Sequence, residues 1–350
     1  MSMFPSMGIV GFRLLGASFI LIALIAVFLA LKDTIRIVYL LLGMLIVIIC
    51  YISLPYSFCN AICSCFFYVC AIIFIYRGLV NKHPFLLLIG GILVGINIFT
   101  RIPNVLGIGL VIIVVCYKWY VGEGKRLDYK QGGIFMFGVI TGILLIFLLM
   151  FILGHFSVFI ESMYQVLYIG TASGSSHTPF RLFMTQLNFY SSSTIHICCF
   201  FSLYFVTNKY FWNKKTILPW ILISSLWWAV YIYRDQELPC DYTWALGTIG
   251  CIMMALRYRD QRGLIALLGL FMLFVEPLGS DYAIAHASLP AMVAVPVACS
   301  FVLNRKNIIY VFVACLIIFL KLVFQGIVFL DRGSLFEKKY VYRSCRNKIY

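Results

Sequence analysis

Charge is what this chain has least of. Asp, Glu, Lys and Arg together make up 11% of its 350 residues, where a soluble domain carries about a quarter. A water-soluble fold cannot cover its surface with so few charges, and that class is excluded. Acids are scarcest: twelve stand against 27 Lys and Arg, for a net charge of +15. In a soluble protein that balance would point to nucleic acid. Here no basic patch coincides with a soluble module, so no nucleic-acid partner is expected. The polar/apolar alternation of a membrane β-barrel is missing. So are a phosphate-binding Walker loop, an HExxH helix, an EF-hand and a nucleophile elbow, and no internal repeat is evident. The thirteen cysteines include no CxxC pair with a nearby His, so no metal site is expected from them. Eleven of them fall inside apolar runs, where a thiol behaves as a small hydrophobe. Cys240 and Cys345 sit in polar stretches and are the one pair open to bridging.

What is present is hydrophobic length: 63% of residues are hydrophobic and the mean hydropathy is +1.02. Apolar runs of about 18 residues or more recur from end to end, each able to cross the hydrocarbon core. In lipid every backbone polar group must be satisfied within its own element, so these runs must be helices. In order they cover 8–31, 37–54, 56–76, 84–100, 103–117, 133–153, 191–206, 217–233, 242–256, 263–275, 282–303 and 308–330. Pro290 and Pro296 are expected to kink the eleventh. The first run lacks a small-residue cleavage site and reads as a retained span. The expected fold is therefore all-α: a polytopic transmembrane helix bundle of about 12 spans. Residues 1–330 form a single transmembrane domain, and residues 331–350 a basic C-terminal tail.

Sidedness follows from the bases. Every second loop, counted from the first, is basic: Lys32 and Arg36; Arg77 and Lys82; Lys118, Lys125, Arg126 and Lys130; Lys209, Lys214 and Lys215; Arg257, Arg259 and Arg262; Arg305 and Lys306. The intervening loops hold Arg101, Arg181 and Arg234. This asymmetry places the first set in the cytoplasm. The tail, with Arg332, Lys338, Lys339, Arg343, Arg346 and Lys348, runs against the rule, because an even span count puts it outside. Acids contribute little to this sorting, yet Glu161, Asp235, Glu237, Asp241, Glu276 and Asp281 all fall on the outer side, with His155, His177 and His286. A polar site facing outward accounts for that.

Two outer segments carry the chemistry. In Asn97-Ile-Phe-Thr-Arg101-Ile-Pro103-Asn104, Arg101 ends one helix and Pro103 opens the next. A cation suits the first position, and the free N–H groups of the following helix attract anions. Arg101 with that helix start makes a phosphate site, and Asn97, a turn below, would orient it. A simple interfacial Arg reaching to the headgroups is the competing reading. In Glu276-Pro-Leu-Gly-Ser-Asp281, Asp281 suits a helix cap. Glu276 sits at a helix C-terminus, where the dipole disfavours a carboxylate. A nearby Arg, a metal or a substrate would explain it. His286 lies a turn inside, either as a functional group or as a hydrogen-bonded packing residue. Residues 154–190 begin with an amphipathic pattern: Phe156, Phe159, Ile160, Met163, Val166 and Leu167 share a face opposite Ser157, Glu161, Tyr164 and Gln165. This predicts an outer helix lying flat in the interface. The Gly/Ser-rich segment after it reads as either a lid or a plain connector. Trp227, Trp228 and Trp244 suit the interfacial belt.

The segments around Asn97, Arg101 and Asn104, and Pro277-Leu-Gly-Ser-Asp281-Tyr, resemble the membrane glycosyltransferases of the GT-C type. The resemblance implies sugar transfer from a polyprenyl-phosphate carrier to a glycan or lipid acceptor, at the non-cytoplasmic face of a bacterial inner membrane. Arg101, Asn97, Asn104, Arg181 and His286 would then bind the substrate and its phosphate. No cofactor is certain, and a divalent cation is compatible with the chemistry. Members of that family carry their catalytic acid in the first outer loop. Here about eight residues precede the first span and none is acidic. The chain then either lacks a front piece and is inactive by itself, or uses Asp281 or Glu276 as its base. An O-antigen-type polysaccharide polymerase and a lipid-linked sugar transporter or flippase are the alternatives. The polymerase would need essential Arg in the large outer loop, where only Arg181 stands. The transporter would need ionisable groups near the midplane, where only Lys321 stands.

Overall fold

The computed structural model describes residues 8–52, 59–124, 126–171, 184, 187, 238–278 and 291–302. Ten α-helices and one 3-10 helix have described bounds, and no strand occurs among the described residues. We number the helices α1 Gly8–Leu31, α2 Ile37–Ile52, α3 Asn60–Val80, α4 Pro84–Asn97, α5 Leu110–Val121, α6 Tyr129–Ile152, α7 Phe156–Thr171, α8 Leu238–Arg257, α9 Gln261–Val275 and α10 Ala291–Val302. A 3-10 helix, Ile102–Gly109, leads into α5.

Among the described residues, four segments are long and apolar enough to cross a membrane: Arg13–Leu31, Asn60–Val80, Ile102–Val121 and Tyr129–Ile152. Shorter apolar helices accompany them. The described residues are thus all-helical, with membrane-spanning character. Its outer surface agrees: Phe137 is 65% exposed, Leu144 60% and Phe151 73% on α6 alone, a surface that water does not tolerate and acyl chains do. The expected spans at 191–206, 217–233 and 308–330, and Pro290, lie outside the described residues.

Boundaries differ from the sequence reading where a charged residue is satisfied locally. The third span was expected to stop at residue 76, before Arg77. Instead α3 continues to Val80, because the Arg77 guanidinium donates to the carbonyls of Leu29 (2.9 Å) and Ala30 (3.0 Å) at the end of α1. Helix α6 starts at Tyr129, not 133, because the Asp128 carboxylate accepts from the Gln131 N–H as an N-cap. Asp260 does the same for α9 through the Arg262 N–H. The fifth span opens as a 3-10 helix rather than an α-helix. At eight residues it is longer than such helices usually run.

Helix α10 is the centre of one group. Every residue from Ala291 to Cys299 other than Pro296 is at most 1% exposed, as expected of a helix that is apolar all round. It packs on α8, α2 and α9. Small residues make the contacts close: Gly250 faces Ala298, and Gly43 of α2 faces the Pro296 ring inside α10. In the second group α4 and α6 form the most extensive pairing among the described helices. Gly91 and Gly95 of α4 meet the backbone of α6 at Phe135 and Val139, while Gly138 and Gly142 of α6 meet that of α4 at Leu88 and Ile92. Two GxxxG stripes face each other in parallel, and any Cβ there would collide with a carbonyl oxygen. Helix α3 packs on both α4 and α9 and so joins the groups.

The helix ends sort into two poles. At one pole the α1–α2, α3–α4, α5–α6 and α8–α9 loops meet. Thr34 and Tyr76 hydroxyls lie 2.8 Å apart, Lys82 pairs with Glu123 at 3.1 Å, and the Tyr120 hydroxyl donates to the carbonyls of Ala255 and Tyr258. These four loops and the helix turns beside them hold Lys32, Arg36, Arg77, Lys82, Lys118, Arg126, Lys130, Arg257, Arg259 and Arg262. Arg101 lies at the opposite pole, where α4 and α9 end and α3 begins.

Candidate functional site

Six polar residues of that opposite pole, Ser64, Asn97, Thr100, Arg101, Asn104 and Glu276, converge on one cluster, while His155 and Glu161 stay exposed outside it. Its ionic core is Arg101 with Glu276. The guanidinium NH1 donates to the Glu276 carbonyl (2.8 Å) and to its Oε1 (3.1 Å), and NH2 donates to the Leu278 carbonyl (3.1 Å). The two side chains are 9% and 0% exposed. Arg101 thus closes the carbonyl end of α9, where a cation is favoured, and neutralises the carboxylate that the same dipole disfavours. The sequence reading left three explanations for Glu276; an Arg from another helix end is the one the fold supplies. Burial pushes the Glu276 carboxyl, just past the end of α9, up to about 7 against the pull of Arg101. Its Oε2 is buried with no hydrogen-bond partner among the described residues.

A neutral network holds the Arg101 turn in place. The Thr100 hydroxyl donates back to the Asn97 side chain and carbonyl, both at 2.8 Å. The Asn104 amide nitrogen reaches Ser64 Oγ of α3 (2.8 Å), Thr100 Oγ1 (2.9 Å) and the Asn97 carbonyl (3.0 Å). The Asn104 backbone N–H donates to the Arg101 carbonyl at 3.0 Å. Asn97 and Asn104 are both buried. Asn97 Nδ2 and Asn104 Oδ1 also lack partners among the described residues. Asn97 therefore sets the turn that carries Arg101 rather than touching the guanidinium. Ser64 and Thr100 belong to the site and were missed from sequence. Thr100 stands inside the motif beside Arg101, but nothing in the sequence marks Ser64, which only packing delivers.

Helix α7 lies over this pole. It forms across Phe156–Thr171, within the region where an outer amphipathic helix was expected. Its attachment is aromatic: Phe159 meets Phe99, two residues from Arg101, at 5.7 Å and Phe147 of α6 at 6.1 Å, and Phe156 meets Phe147 at 5.9 Å. Most of its other described side chains are exposed.

No protein-family model matches this chain, and neither the curated proteins nor the solved structures include a similar one. The site must be argued from its own residues. Arg101, Glu276, Asn97 and Asn104 come together. Asp281, His286 and Arg181 lie outside the described residues, as do Cys345, residues 172–177 of the Gly/Ser-rich segment, Trp227 and Trp228. Among the described residues no three His, Cys, Asp or Glu side chains gather as a metal cluster. Trp244 corrects an expectation. It is buried between α8 and α9 rather than placed in an interfacial belt: its indole N–H donates to the Leu273 carbonyl (3.4 Å) and its ring meets Phe274 at 5.4 Å. The indole found an apolar body and a carbonyl partner inside the protein, which hydropathy alone does not distinguish from a lipid headgroup.

Proposed function

We propose that this chain is a polytopic protein of about twelve spans in a bacterial inner membrane and acts as a membrane glycosyltransferase-like protein. Its substrate is a polyprenyl-phosphate-linked sugar, handled at the pole built by Arg101 and Glu276 on the non-cytoplasmic side. The observation that carries this reading is the buried Arg101–Glu276 pair at the pole opposite the basic loops. Transfer needs a base for the acceptor hydroxyl and a cation for the departing phosphate, and the pair contains both group types. The carrier phosphate competes with Glu276 for the guanidinium fork, whose bidentate geometry suits phosphate. The carboxylate so released, or Asp281 further along the same segment, takes the acceptor proton. The acceptor oxygen then attacks the anomeric carbon. The carbon–oxygen bond to the carrier breaks, and the carrier leaves as its phosphate monoester beside Arg101.

The test is transfer of radiolabelled sugar from its polyprenyl phosphate in proteoliposomes. Arg101→Ala and Asp281→Asn are each expected to lower turnover by about two orders of magnitude or more. Unchanged turnover in both variants rejects the site.

A further inference from the structure

At the basic pole, α4 and α6 begin side by side and leave a lateral groove of about 570 Å³ between them. Its walls are Phe85 and Leu88 from α4 and Gly133, Ile134 and Phe137 from α6. The one charged residue on its lining is Lys130, in the first turn of α6. We propose that this groove is a binding site for an anionic glycerophospholipid, one acyl chain lying along the α4–α6 seam and the phosphate resting on Lys130.

Three observations carry the assignment. The groove faces outward: Phe85 and Phe137 are 59% and 65% exposed, and α6 is among the helices long enough to cross a membrane. What fills a carbon-lined groove on such a face is an acyl chain. The second observation concerns the two neighbouring glycines. Gly132 has a packing reason, because a Cβ there would strike Val115 of α5. Gly133 has none, because a Cβ there meets no atom within 4 Å. Inside an apolar helix Gly costs stability relative to Ala, and the space at Gly133 opens into the groove. The third is charge. The nearby acids are engaged: Asp128 pairs with Lys118 at 2.6 Å and caps α6, and Glu123 pairs with Lys82 at 3.1 Å. Lys130 is exposed at the level where α6 enters the membrane. Arg126 precedes it by one helical turn's worth of chain in the α5–α6 loop, and such cations attract an anionic headgroup over a zwitterionic one.

The purified full chain in detergent micelles, titrated with dioleoyl-phosphatidylglycerol or dioleoyl-phosphatidylcholine and read by native mass spectrometry, tests this without reference to transfer activity. The wild-type protein is expected to retain phosphatidylglycerol about fivefold better, the worth of one interfacial lysine. Lys130→Gln should reduce that preference to near unity. Gly133→Phe, whose side chain has room to enter the groove, should weaken retention of both lipids without unfolding the protein. Equal retention of the two lipids by the wild type overturns the proposal. So does a preference that survives Lys130→Gln but disappears in Arg126→Gln, or retention unaffected by Gly133→Phe.

Discussion

Removing Arg101 is the most informative perturbation of this protein. Arg101→Ala deletes three hydrogen bonds, of 2.8, 3.1 and 3.1 Å, and leaves Glu276 with a side chain that is 0% exposed and no counter-charge. Breaking a buried pair from one side costs about 3–5 kcal/mol when the remaining group stays charged. The Glu276 carboxyl, already pushed up to about 7 by burial, takes a proton instead, so the loss at neutral pH falls toward the roughly 1–3 kcal/mol of the lost hydrogen bonds. Glu276→Gln strands less. Arg101 keeps both carbonyl acceptors and gains an amide oxygen, so the loss is about 1 kcal/mol. The double variant Arg101→Met with Glu276→Met removes both charges at similar volume and should lose less than Arg101→Ala does, since a buried pair is often replaceable by apolar residues. The assay is equilibrium unfolding in mixed micelles across this set. A loss below about 1 kcal/mol in Arg101→Ala, or strict additivity of the single changes in a double-mutant cycle, would refute the coupling. The geometric reason for joining α4 to α9 at this pole would fall with it.

Three further outcomes are expected. Gly91→Leu or Gly138→Leu should separate α4 from α6 and cost about 3 kcal/mol or more, because each side chain would strike backbone. Gly133→Ala should instead be neutral or stabilising by up to about 1 kcal/mol; the same micelle unfolding assay separates the two. In a cysteine-free background, Gly124→Cys and Glu161→Cys should react with an impermeant thiol reagent from opposite sides of sealed vesicles, since the first sits at the basic pole and the second on exposed α7; labelling from one side would dismantle the two-pole arrangement. Burial opposes ionisation of Asp128, but hydrogen bonds from Lys118 and the Gln131 N–H prevail and hold its carboxyl below the usual aspartate range. A carboxyl with a lowered folded pKa contributes stability above its unfolded value near ~3.9 and loses it as pH falls through the folded value. The melting temperature should therefore drop on acidification below about pH 4, and Asp128→Asn should lose part of that acid-sensitive step, with a cost near 1 kcal/mol at neutral pH.

Much of the fold was legible without coordinates. Among the described residues hydropathy located the apolar helices, because lipid forces each apolar run to satisfy its own backbone. The alternation of basic loops correctly implied that the ends carrying Arg77, Lys118 and Arg257 share a pole, since charge is costly to translocate. Gly91-x-x-x-Gly95 and Gly138-x-x-x-Gly142 carry the GxxxG signature of close helix pairing, but the spacing does not say that these two stripes meet each other. Helix ends were misjudged where a charged residue reaches a carbonyl, as Arg77 does.

The sequence by itself determined which residues are apolar enough for lipid, which loops are basic, and that Arg101 and Glu276 each stand at a helix end. Those properties are local, written in composition and in steps of three or four residues. Only the tertiary structure decided that these two residues, 175 positions apart, meet, that Ser64 joins Asn104, and that Trp244 turns inward. Each of these depends on which helices become neighbours. That choice is made by the fit of glycine stripes and small side chains between α4 and α6 and around α10, where contact is set by shape complementarity that no single segment encodes.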